Sequence, residues 1–177
     1  MSVLTGMDTE TQASPSDSLL AGVRRLTLLA DGARDVDAVF RALSRELLAS
    51  PGAEEVHVHR LSRDDEDETV VVYLFDGEGR LSYSIPRAER PPGVEWVAHS
   101  GRNLLIASAD KLAESMPRLT ATGPANCALL LPLVEHGETE AIVTLVRRVS
   151  PAFDERSIEL ARTLVDQTAT ALALVRA

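Results

Sequence analysis

The sequence holds one cysteine, Cys127. A lone thiol closes no internal disulfide and builds no multi-cysteine metal site, which fits a reducing cytoplasm. Basic residues are outnumbered: 18 Lys and Arg against 27 Asp and Glu leave a net charge of −9. That balance argues against nucleic acid as a bulk partner and against a polybasic grip on an anionic membrane. No apolar run approaches the ~18 residues needed to span a bilayer. The opening "MSVLTGMDTETQASPSD" has no basic n-region and no apolar core, so no signal peptide is expected. Gly-rich phosphate loops, a Ser-His-Asp layout and a glycosidase-like carboxylate pair are also missing. The expectation is a soluble, cytoplasmic chain.

What is present patterns well. With 177 residues and 45% apolar content, the chain suits one globular domain with a sizeable core. Residues 1–17 are Ser/Thr/Asp/Gln-rich and read as a disordered arm, ahead of a domain over 18–177. Leu19, Val23, Leu26 and Ala30 recur at helical spacing until Asp31-Gly32. A second helix is expected from Asp35, with Val36, Val39, Phe40, Leu43, Leu47 and Leu48 as its stripe, ending at Ser50-Pro51-Gly52. The period then switches to two. "EEVHVHRL", "TVVVYLF" and "RLSYSI" read as strands, the first two joined by the charge run "SRDDEDE" and the last two by the hairpin signal "DGEG".

"PPGVEWVAHSGRNLLIAS" follows, a short helix, a Gly stop and a short strand, carrying the only Trp, Trp96. A further helical segment is expected near Asp110 to Met116. "CALLLPLVEHGETEAIVTLV" reads as two strands joined by a hairpin. A long helix closes the sequence, capped by Asp154, stapled by Phe153 and Ile158, and striped by Ile158, Ala161, Val165, Thr168, Leu172 and Val175. The fold class is α+β.

Three segments in this order resemble a GAF domain, a small-molecule-sensing relative of the PAS fold, over about residues 18–177. "GVEWVAHSGRNLLI" is similar to the family's lid, "CALLLPL" to its fifth strand, and "AIVTLVRRVSPAFDERSIELARTLVDQTATAL" to its sixth strand and closing helix. Glu95 departs from the family's frequent Gly before the Trp. The resemblance implies a six-stranded antiparallel sheet with the N- and C-terminal helices on one face. A helical lid, roughly residues 86–125, would close a pocket on the other.

Several residues could carry chemistry in that setting. His57 and His59, two apart on a strand, share a face. They read as a metal pair, as polar groups lining the pocket, or as partly buried residues satisfied by neighbours. Phe75-Asp76 is similar to the aromatic-Asp pair of cyclic-nucleotide-binding GAF domains, where the ring stacks on a base and the carboxylate accepts from a ring N–H. A core Phe followed by a turn Asp explains the same residues. Those nucleotide binders also carry Asn-Lys after the sixth strand and a later Asp-Glu pair. Arg147-Arg148 and Ser157-Ile158 stand there instead.

Trp96 and His99 share one side of the short helix, and Val94, Val97 and Ala98 form the other; which side meets the sheet is open. Cys127, among apolar neighbours with no adjacent base, reads as a small inert core residue. One Cys does not supply the chemistry of the family's free-methionine sulfoxide reductases, and the bilin binders' lid Cys and Asp-Ile-Pro motif are missing. Arg147-Arg148 reads as a solvated pair or as an anion contact.

The candidate ligand-binding set is therefore His57, His59, Phe75, Asp76, Trp96 and His99, with no catalytic or metal-ligating residue named and no cofactor implied. The expected function is a regulatory sensor without catalysis, taking a small organic ligand, with a nucleotide as one candidate class. Heptad-type stripes in the first and last helices predict a homodimer. The last helix stops mid-pattern, so an attached or separate output is expected: a diguanylate cyclase, kinase, phosphatase or transcription factor. The alternative is a ligand-free dimerisation scaffold.

Overall fold

Runs of β-branched and aromatic residues at period two build the sheet that organises the molecule. The computed structural model describes residues 36–61, 69–76 and 79–176. The arm over 1–17, the helix expected over 19–30, the charge run and the middle of the "DGEG" turn lie outside the described residues. Helix α1 spans Val36–Ala49. Strands β1 (Glu55–Arg60), β2 (Thr69–Asp76) and β3 (Gly79–Pro86) follow, then a 3₁₀ turn at Arg87–Glu89. Helix α2 (Pro92–Ser100), strand β4 (Leu104–Ile106) and helices α3 (Ala109–Ser115) and α4 (Pro117–Ala121) make the excursion. Strands β5 (Cys127–Glu135) and β6 (Glu138–Arg147) and helix α5 (Glu155–Arg176) complete the chain.

The six strands form one antiparallel sheet in the order β3-β2-β1-β6-β5-β4. The β5–β6 hairpin turns on His136 (φ 53°) and Gly137 (φ 78°), both left-handed. Two consecutive positive φ values are those of a type I′ turn, whose twist matches that of the strands it joins.

Both sheet faces are apolar, as a sheet covered on two sides requires. One face takes α1 and α5. The α1 stripe, with Val39, Phe40, Leu43 and Leu47 buried, packs with Val58, Leu129, Leu131, Val143 and Leu145 of the strands and with Ala161, Val165 and Leu172 of α5. Each large side chain taken fully out of water here contributes about 1.5–3 kcal/mol. Polar groups on this face are satisfied locally. Ser44 Oγ donates to Phe40 O and Thr168 Oγ1 to Leu164 O, each one helical turn back. Tyr73 OH donates to Asp37 Oδ1 at 2.5 Å. Helix α5 starts where expected, because Asp154 Oδ1 accepts from the Ser157 amide at 2.8 Å.

The other face takes the excursion. Val94 and Val97 of α2, with Ile106, Leu112, Met116 and Leu119, pack on Ala128, Leu130, Ile142 and Val146. Gly93 permits that approach, since a Cβ there would sit 3.1 Å from Ser115 O and 3.4 Å from Leu130 Cδ2. This settles the open question about α2: Val94 and Val97 point inward, and Trp96, 47% exposed, points out with His99. Helix α4 is an element the sequence reading missed. Its five residues begin with Pro117, which cannot continue the preceding helix and starts the next at a position where no N–H is needed.

Candidate functional site

Helix α2 packs over β5 and β6 and leaves the β1–β3 half of that face uncovered. There Ile85 and Tyr83 form a small apolar group of their own. Between this half-sheet and the α3–α4 end of the excursion lies a cavity of about 540 Å³. Its floor is His57, His59 and Leu74, with Tyr83 and Ile85 at the β3 side and Pro91, Met116 and Leu119 as the roof. Glu55, Thr122 and Arg148 close one end, and Arg118 sits at the rim. That volume matches a site for a small organic molecule.

The closed end is an ion-pair network. Arg148 Nε donates to Glu55 Oε1 at 2.5 Å and its Nη2 to Glu55 Oε2 at 3.3 Å. Nη2 also donates to Thr122 Oγ1 at 2.8 Å, and Nη1 reaches the Gly123 carbonyl at 3.1 Å and those of Leu119 and Pro124 at longer range. One guanidinium thus ties β1 to the last turn of the excursion. His57 Nε2 donates to Glu55 Oε2 at 3.0 Å. The bond from His57, opposed by burial and reinforced by Arg148, holds the Glu55 carboxyl at about 2, well below the usual carboxylate range. The neighbouring Glu54 also lies at about 2: burial pushes it up, and the Ser150 hydroxyl with the amides of residues 148–150 outweighs that push.

His59 sits deeper, 4% exposed, and its Nδ1 has no hydrogen-bond partner among the described residues. Burial first, then the positive charge of His57 and Arg90 nearby, lowers its pKa to about 3, so the ring is neutral at ordinary pH. An unpaired buried polar atom costs about 1–3 kcal/mol.

The structure brings together two of the six expected site residues, His57 and His59. It separates the other four from them. Phe75 lies on the opposite face, stacked on Tyr73 with centroids 6.3 Å apart in the helix-side core. The reason is register: His57 pairs with Leu74, so the next residue points the other way. Asp76 is exposed and accepts from the Gly79 amide at 3.0 Å, a turn role. Trp96 lies on the outer surface of α2. His99 is exposed beside Glu95, whose other oxygen lies 2.6 Å from Arg90 Nε, so Glu95 braces the lid from outside.

Arg147-Arg148 is not a solvated pair. Arg147 lies over the Phe153 ring at 4.2 Å and donates to the carbonyls of Pro51, Gly52 and Pro151. Glu55 and Arg148, missed as site residues, had a weak signal in the sequence: a carboxylate and a guanidinium at the ends of two strands that prove to be neighbours. Among the described residues, no three His, Cys, Asp or Glu side chains gather in a way that could hold a metal ion. Cys127 is buried, and desolvation raises its thiol pKa.

A family model described as GAF domain matches residues 33–173. No curated protein matches the sequence. Solved structures match the fold. The phycoerythrobilin-bound GAF domain of a cyanobacterial phytochrome gives a TM-score of 0.71 at 18% identity, covering 89% of this chain and 96% of that one. Free methionine-R-sulfoxide reductase from Neisseria meningitidis, in complex with its substrate, gives 0.71 at 14% identity, with 93% and 95% covered. The GAF domain of a phosphoenolpyruvate-protein phosphotransferase from Coxiella burnetii gives 0.68 at 17% identity, with 93% and 97% covered. At these identities the likeness is one of fold.

Proposed function

The chain belongs to the GAF domain family, and from that membership we propose that it is a regulatory sensor whose lid-side cavity takes a small organic ligand, without catalysis of its own. The observation that carries this reading is the 540 Å³ cavity with His57 and His59 in its floor. Two fold neighbours were solved with small molecules bound, and another belongs to a methyl-accepting chemotaxis protein. A ligand acts on signalling only through a difference in affinity between two states of the domain. Here the bridge from Glu55 through Arg148 to the excursion is the contact such a ligand would adjoin.

The output is an attached or separate partner of the cyclase, kinase, phosphatase or transcription-factor kind, reached through a homodimer that uses the closing helix. Leu174 on α5, 55% exposed, supports a helical contact there. Cytoplasmic residence goes with this reading; among the described residues no helix is long and apolar enough to cross a membrane. A nucleotide has less support than other ligand classes, because Phe75 is turned away and Arg148 is already engaged. The rival reading, a ligand-free dimerisation module, needs a filled lid face.

Native mass spectrometry of the protein purified from its host tests the choice. The expected spectrum shows a dimer carrying a non-covalent adduct that is lost on denaturation and absent from the cavity-filling variant Leu74→Trp. A protein that carries nothing, and gains nothing from a host metabolite extract, would overturn the sensor reading.

A further inference from the structure

Two buried polar atoms on adjacent strands of the lid face stand without partners among the described residues: His59 Nδ1 and Thr144 Oγ1. Thr144 is paired with His57 across β1 and β6, so its side chain rises on the same face as the two histidines. On the opposite face the comparable buried hydroxyls are bonded within their own helices. Of the two residues, His59 lines the cavity and Thr144 lies beside it under the packed half of the same face.

Charge around the cavity is closed off in pairs. Glu55 is held by His57 and Arg148, Arg118 at the rim by Glu89, and Arg90 by Glu95. All three Arg148 nitrogens donate to protein acceptors. The remaining wall is apolar: Leu74, Tyr83, Ile85, Pro91, Met116 and Leu119.

Building on the sensor reading above, we infer that the cavity takes an uncharged, largely apolar small molecule bearing one compact amide, lactam or urea group, set against His59 on the sheet floor. A carboxylate or phosphate would leave water without gaining a free cation, which costs far more than burying a neutral polar group. An amide offers both a donor and an acceptor, so it pairs with either neutral tautomer of the imidazole. The neutrality of the ring at ordinary pH fits a partner that brings no charge.

The test follows the His59 ring nitrogens by NMR in the labelled full chain at pH 7. Matched amide and acid pairs are titrated in: nicotinamide and nicotinate, benzamide and benzoate, indole-3-acetamide and indole-3-acetate. In at least one pair the amide is expected to shift His59 and Tyr83 and to bind about tenfold or more tighter than its acid. That preference should vanish in His59→Leu and survive in His59→Gln, which keeps a neutral hydrogen-bonding group and serves alone if His59→Leu does not fold. Acids that bind as well as their amides, or an amide preference retained in His59→Leu or lost in His59→Gln, would overturn the neutral-ligand assignment and leave the pocket standing. No shift at any lining residue with all six probes would overturn both.

Discussion

The two faces of the sheet are made from the same strands and differ in kind. The helix face is filled: Phe40, Tyr73 and Phe75 stack in series, and Ser44 and Thr168 bond within their helices. The lid face is filled over β5 and β6 and hollow over β1 to β3, with His59 and Thr144 left unpaired. Close packing with satisfied polar groups is how a core gains stability. Leaving His59 and Thr144 unmet forgoes stability on the lid face. The contrast separates the part of the domain that holds it together from the part available for recognition.

The strongest way to break that contrast is a matched pair of truncations. Leu145→Ala, in the helix-side core, should cost about 2–5 kcal/mol, whereas Leu74→Ala, which borders existing space, should cost less than half as much. Urea unfolding followed by circular dichroism measures both, and equal losses would mean that the hollow is filled in solution. Next is Arg148→Met, which leaves Glu55 to His57 alone and strands the carbonyls of Leu119, Gly123 and Pro124. Because this pair is only partly buried, about 1–3 kcal/mol is expected. Hydrogen exchange should quicken over residues 117–124 and stay unchanged in β5 and β6.

The smallest effect sharpens the comparison through pH. The His59 pKa is about 3 in the folded chain against an ordinary 6.5, so the unfolded chain binds a proton first. The stability held above pH 6.5 therefore falls as pH drops from 6.5 toward 3. Glu54 and Glu55, at about 2, add a loss of the same sign only below their ordinary 4.5. Between pH 6.5 and 5 the slope thus belongs largely to His59, and His59→Leu should flatten it in denaturant titrations at stepped pH.

Sequence patterning located every described α-helix and strand except α4, because periodicity and stop signals are local. The α5 stripe and cap, the β5–β6 hairpin and the α2 stop at Gly101 are all written within a few residues. The face of Phe75 is not. "TVVVYLF" is apolar at both alternations, so period two cannot say which set meets the helices; pairing with β1 decides it. The side of α2 that turns inward was equally hidden, because Gly93 sets it by closeness to Ser115 and Leu130, residues well along the chain. The arginine pair misled for the same reason. Apart from Pro151, its acceptors come from residues 51–55 and 119–124, and no local pattern announces carbonyls converging on one guanidinium.

Arg147 and Arg148 share a single peptide link, yet they grip opposite sides of the sheet. One rests on Phe153 and Pro151 at the foot of α5, and the other clasps the end of the excursion. A tug on that clasp travels to the base of the closing helix through two side chains and one amide plane. No slack loop lies between them to absorb the pull.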